Sequence, residues 1–124
     1  MHPARGAAAA TERAMVWVFL VAFWSMQVAA NLCFKAGSAM PTRWLAGFVL
    51  GNVVGASSIV FMMKLYARLD PNLAMALAGG GSFVCIQLAL AACFGPRPTM
   101  QQWVGVALVA VGMVVASLGA RTEG

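Results

Sequence analysis

With 124 residues, 62% of them hydrophobic and only 9% charged, the chain cannot cover a water-facing surface, for which charged residues usually supply about a quarter. Its mean hydropathy of +0.86 places it in the membrane class. The net charge of +5 does not point to nucleic acid, because the eight Lys and Arg residues are scattered singly between apolar segments; they form no basic patch and suit anchors near lipid headgroups.

Residues 1–14, "MHPARGAAAATERA", are small and polar and are expected to be disordered. The first apolar stretch, about 15–34, exceeds the roughly 7–15 apolar residues of a signal peptide. At 1.5 Å per residue it can cross a hydrocarbon core of about 30 Å. Three more apolar stretches follow, so it reads as a retained first span. Within it Gln27, Asn31 and Lys35 recur every fourth residue, a polar stripe along nearly one helix face. An amide facing lipid leaves donors and acceptors unpaired at a cost of roughly several kcal/mol. The stripe should therefore face protein or a water-filled cavity. Two readings stand: a cavity lining, or hydrogen bonds to a neighbouring helix of about 0.6–2 kcal/mol each. Lys35, at the helix end, can snorkel to the interface.

The second span, about 44–65, follows Thr42, which can cap its start. Gly47, Gly51 and Gly55 make two overlapping GxxxG motifs, a flat groove for another helix of this chain or of a second copy. Asn52, Ser57 and Ser58 add polar groups, with Asn52 the costliest to strand in lipid. The third span, about 71–94, begins with Asp70 as N-cap and Pro71 at the first helical position. Its three consecutive glycines, Gly79, Gly80 and Gly81, each weaken a helix by about 1 kcal/mol relative to alanine. They suggest a hinge, or a place where another group approaches the backbone. Gln87, further along, is a second candidate for cavity lining. The fourth span, about 100–118, is preceded by the Thr99–Gln102 spacing of a capping box. Gly105 and Gly112, one heptad apart in an otherwise bland helix, suit a dimer contact. Residues 119–124 form a tail.

All three connections are short, so consecutive helices must be antiparallel neighbours: an all-α, four-transmembrane-helix bundle. The side of the termini collects Arg5, Arg13, Lys64, Arg68 and Arg121, against Lys35, Arg43 and Arg97 opposite. This weak bias favours cytoplasmic termini in a cell membrane and leaves dual topology, and so an antiparallel dimer, open.

The acidic residues Glu12, Asp70 and Glu123 all lie at span ends, and the only histidine is His2. No nucleophile has a base in reach, so enzymatic activity is not expected, nor a metal or other cofactor. Cys33, Cys85 and Cys93 have no CxxC spacing and read as buried and unreactive. Transport, scaffolding or assembly remain.

Four short spans in this order resemble the small multidrug resistance family of the drug/metabolite transporter (EamA) superfamily. The resemblance runs roughly from Val16 to Leu118 and is carried by "QVAANLCFKAG" in the first span, "LDPNLAMALAGGG" at the turn into the third and "GVALVAVGMVV" in the last. It implies a dimer, with the last span as the dimer contact, and alternating-access transport. In that family a first-span Glu binds the proton or the cationic substrate; the matching position here is Gln27, an amide that cannot exchange a proton. Third-span aromatic residues of the family are replaced near Ala76 and Gly79. "ANLCFKAG" is also similar to the first span of the paired small subunits that flip aminoarabinose-modified undecaprenyl phosphate. That branch would make Lys35 a phosphate partner. The expectation is a small transporter of a polar, cationic or lipid-linked substrate, bound by Gln27, Asn31, Lys35, Asn52 and Gln87. It would pair as a homodimer or with a paralogous four-helix subunit. The different-class alternative is a non-transporting scaffold or accessory subunit.

Overall fold

Four apolar stretches become four helices in a computed structural model of the chain, which describes residues 3–95 and 97–123. The helices are α1 (Pro3–Ser38), α2 (Pro41–Tyr66), α3 (Pro71–Phe94) and α4 (Met100–Glu123). Each is long and apolar enough to cross a membrane, as expected for a multi-pass membrane protein. The third span coincides with its expected bounds, whereas the other helices run past theirs. At 36 residues, α1 is about 54 Å long, well beyond a hydrocarbon core of about 30 Å.

That excess corrects the expectation of a disordered lead. The described part of the segment, from Pro3 onward, is helical and continuous with the first span. Ala7 to Ala10 are the strongest helix formers available, and Pro3 sits in the first turn, where its missing N–H costs nothing. The extension is also tied down, with Glu12 Oε2 lying 3.3 Å from Arg68 Nε.

The starts of α3 and α4 form as their sequences require. Asp70 Oδ1 accepts from the backbone N–H of Asn72 at 2.9 Å and of Leu73 at 3.2 Å, ahead of Pro71 in the first turn. Thr99 Oγ1 accepts from Gln102 N at 3.2 Å while Gln102 Oε1 accepts from Thr99 N at 2.9 Å, the reciprocal pair of a capping box. Replacing Asp70 by Ala should cost about 1 kcal/mol, read as a lower melting temperature in detergent; Asp70→Asn should recover most of it. The start of α2 departs from expectation. Met40 is its N-cap and makes no side-chain cap bond. Pro41 fixes the entry of the chain, so Thr42 falls inside the first turn.

Among the described residues the backbone of α1 approaches α2 along most of its length and α3 over a shorter stretch, while α4 approaches only α3. α2 also approaches α3 over a short stretch, so α1, α2 and α3 pack around one another and α4 lies outside them against α3. The α1–α2 seam is made by glycine. A Cβ on Gly47 would lie 2.7 Å from both the Cys33 carbonyl oxygen and the Gly37 Cα. At Gly51 it would strike the Phe34 ring, and at Gly55 it would sit 3.6 Å from the Ala30 Cβ. The paired GxxxG motifs thus serve packing within the chain, the alternative the sequence left open.

Toward the end that holds the termini, Phe19, Leu20, Met62, Leu65, Ala74 and Ala78 form the buried core. Lys64 Nζ and Arg68 Cζ stand 5.3 Å and 5.0 Å from the Phe19 ring centroid, within cation–π range. The outside is as apolar as the inside: Met63, Leu108 and Val18 are 68%, 66% and 62% exposed, as a lipid-facing surface requires. Cys33 and Cys85 are half-buried and Cys93 is exposed on that surface, which corrects the expectation that all three are buried.

Candidate functional site

The three consecutive glycines of α3 point in three directions, because successive helical residues turn by about 100°. Gly81 receives the Trp24 indole of α1, and a Cβ there would overlap the ring. Trp24 Nε1 donates to the Leu77 carbonyl at 3.1 Å, so its N–H is satisfied in the membrane interior, as a buried indole demands. Gly80 faces α4, where a Cβ would lie 3.3 Å from that of Met113. Gly79 borders open space, with only Met75 Sδ near, at 3.8 Å. α3 continues through all three as one helix. The close approach to the backbone that the sequence suggested is present at Gly80 and Gly81.

The open space beside Gly79 is a groove of about 450 Å³ walled by α1, α2 and α3. Phe23, Gln27 and Phe34 contribute from α1, Gly51, Asn52 and Gly55 from α2, and Met75 and Ala78 from α3. Its polar groups are two amides, and none of its lining residues among those described is acidic or basic.

The orientation of both amides is fixed by their partners. Ser58 is 0% exposed, and its hydroxyl donates to the Gly55 carbonyl at 2.6 Å. Its oxygen must then accept, and Gln27 Nε2 donates to it at 2.7 Å. Asn52 Nδ2 donates to the Phe48 carbonyl at 2.7 Å, a partner that can only accept. Each amide therefore has its nitrogen engaged and its oxygen without a partner among the described residues. What each can offer the groove is two oxygen lone pairs against one remaining N–H. Such a site carries no formal charge and is richer in acceptors than donors. Two phenyl rings and the thioethers of Met62 and Met75 surround it.

The polar stripe of α1 is divided. Gln27 lines the groove; Asn31, one turn on, is half-buried, lies outside the lining, and donates from Nδ2 to the Gln27 carbonyl of its own helix at 2.9 Å. Lys35 is exposed near the end of α1. The cause is helical drift: four residues advance about 400°, so each step rotates by about 40° and Lys35 stands about 80° from Gln27. Gln87 is half-buried on α3, outside the groove, and its side-chain amide makes no hydrogen bond among the described residues. Of the five expected binding residues the structure brings together Gln27 and Asn52 alone. Gly105 and Gly112 of α4 have nothing within 4 Å of an added Cβ.

Ser58, which orients Gln27, had a signal in the sequence. It lies three residues after Gly55 and so shares the helix face that Gly47, Gly51 and Gly55 turn to α1. Phe23 and Phe34 flank Gln27 at distances of four and seven residues, the spacing of one face.

No family model and no solved structure matches the chain. Over 97 residues it is 30% identical to Uncharacterized protein y4nH of Sinorhizobium fredii (strain NBRC 101917 / NGR234), a match covering 72% of this chain and 83% of that protein. The chain belongs to that protein's family. The relationship spans most of both chains, and the relative's name specifies no activity.

Proposed function

We propose that the chain is a small integral membrane transporter of the drug/metabolite transporter type, similar to the small multidrug resistance proteins. It would move an amphipathic small molecule by alternating access. The observation that supports this reading most is the groove. It is walled by three helices and lined by Gln27 and Asn52, with the Gln27 amide held by a fully buried Ser58. An apolar wall with a few fixed polar groups is the general form of a small-molecule site.

The chemistry of the lining favours a head group that donates hydrogen bonds, such as a guanidinium, a primary ammonium or a hydroxyl, carried on an apolar body that contacts Phe23 and Phe34. It disfavours a phosphate head, since the exposed Lys35 lies outside the groove. With Gln27 in place of a carboxylate, the described residues that line the groove include none that could exchange a proton for substrate. We take the cell membrane as its location, with the termini cytoplasmic, and a dimer of identical or paralogous chains as the working unit.

The dimer contact belongs on α4, where Gly105 and Gly112 leave a seam that this chain does not fill. Gly112→Leu should not lower the thermal stability of the isolated chain, because nothing lies within 4 Å of an added Cβ and leucine favours a helix over glycine. It should shift the protein from dimer to monomer on cross-linking or native mass spectrometry. A dimer that survives the change would place the contact elsewhere.

Flux into proteoliposomes tests the function. Guanidinium-type and primary-amine amphiphiles should be transported, and quaternary amines of equal size more slowly. The one observation that favours a scaffold is that the Gln27 amide nitrogen and the Asn31 amide already have partners inside the chain. Absence of flux for every class from a folded dimer would establish that second reading.

A further inference from the structure

A larger cleft, of about 750 Å³, opens at the end of the bundle that holds the termini, between the early part of α1, the start of α3 and the late part of α4. It shares no lining residue with the groove of Gln27. Its polarity is graded. Leu20, Leu77 and Met113 line it together with Trp17, and Glu12, Arg13, Arg68 and Asp70 supply its charges.

The charges are not equally engaged. Arg68 pairs with Glu12 at 3.3 Å and donates from Nη1 to the Lys64 carbonyl at 3.3 Å. Asp70 caps α3 through Oδ1. Arg13 is exposed and has no hydrogen-bond or ion-pair partner among the described residues. The four charges of the lining sum to zero, but Arg68 is held by Glu12 and Asp70 by the start of α3. That leaves Arg13 as the guanidinium outside an ion pair, on the same cleft as the apolar residues and Trp17, 56% exposed, a ring suited to the headgroup level of a bilayer.

We propose that this cleft seats an anionic phospholipid, with the head-group phosphate on Arg13 and an acyl chain against Leu20, Leu77 and Met113. A guanidinium matches two phosphate oxygens with two parallel N–H bonds. The apolar trough offers a free phosphate nothing and offers a hydrocarbon chain a dry wall. The site is independent of transport through the groove.

Thermal stability of the full chain in detergent, titrated with phosphatidylglycerol, phosphatidylcholine or inorganic phosphate, tests it. Phosphatidylglycerol should raise the melting temperature saturably, phosphatidylcholine much less, and inorganic phosphate not at all. Arg13→Gln should weaken the phosphatidylglycerol response by about tenfold or more in half-saturating concentration, because a neutral amide replaces a charged two-bond contact, and Arg13→Lys should recover part of it. Val114→Trp, which fills the cleft from α4 at a residue 55% exposed, should remove the response and leave the lipid-free melting temperature in place. Equal responses to the two lipids, a response to inorganic phosphate, or an Arg13→Gln protein that titrates like the wild type would overturn the proposal and leave only general solvation by lipid.

Discussion

Gly47→Val should cost about 3 kcal/mol or more, the upper range for overpacking, and lower both the yield and the melting temperature of the detergent-solubilised protein. The atoms that an added Cβ meets at 2.7 Å are the Cys33 carbonyl oxygen and the Gly37 Cα. Both are backbone, so neither can rotate aside, and relief requires α1 and α2 to separate. Gly55→Ala is the internal control, because its Cβ would meet that of Ala30 at 3.6 Å, ordinary contact. Alanine favours a helix over glycine by about 1 kcal/mol, so the Gly55 change should be neutral or slightly stabilising. Equal losses at the two positions would show that the seam is not held by close backbone contact.

Gln27→Leu should reduce flux by tenfold or more while costing about 1 kcal/mol of stability or less. Leucine is close to glutamine in size, so the wall keeps its shape. Ser58 keeps its bond to the Gly55 carbonyl, so no buried donor is stranded. On the proposed function, what is lost is the amide oxygen left free to accept from a head group in the groove. Asn31→Leu separates this account from a general requirement for polar groups on α1. Its amide serves the Gln27 carbonyl and lies outside the groove, so transport should survive. A folded Gln27→Leu protein with undiminished flux would refute the placement of substrate in this groove, as would equal losses from Gln27→Leu and Asn31→Leu.

How far the sequence revealed all this depended on the range of each interaction. Asp70 with Pro71, and Thr99 with Gln102, act within three positions, and both helix starts follow from the residues alone. Four spans follow equally from apolar length. The partner of a side chain does not. Nothing near Gly81 announces Trp24, which lies 57 positions away and reaches it only once α1 and α3 pack. The same holds for Gln27 and Ser58, 31 residues apart. The polar stripe was legible as a stripe, but its use was not. The helical drift of about 40° per step decides which amide meets the groove, and the bearing of α1 toward its neighbours sets the origin of that rotation. The alanines of residues 7–10 carried the opposite lesson, since weak polarity looked like disorder where helix propensity prevailed.

The glycine seam between α1 and α2 also bears on how the chain is made. These two helices are neighbours in sequence, joined only through residues 39 and 40, and their closure needs nothing from the rest. A hairpin of that kind forms from short-range contacts, so it can be complete while the ribosome is still synthesising α3. Until α3 enters the bilayer, the Trp24 N–H has no Leu77 carbonyl to meet and the groove lacks its third wall. α4, whose backbone approaches only α3, docks last. In the finished bundle, α3 is thus the helix that both satisfies the Trp24 indole and closes the groove.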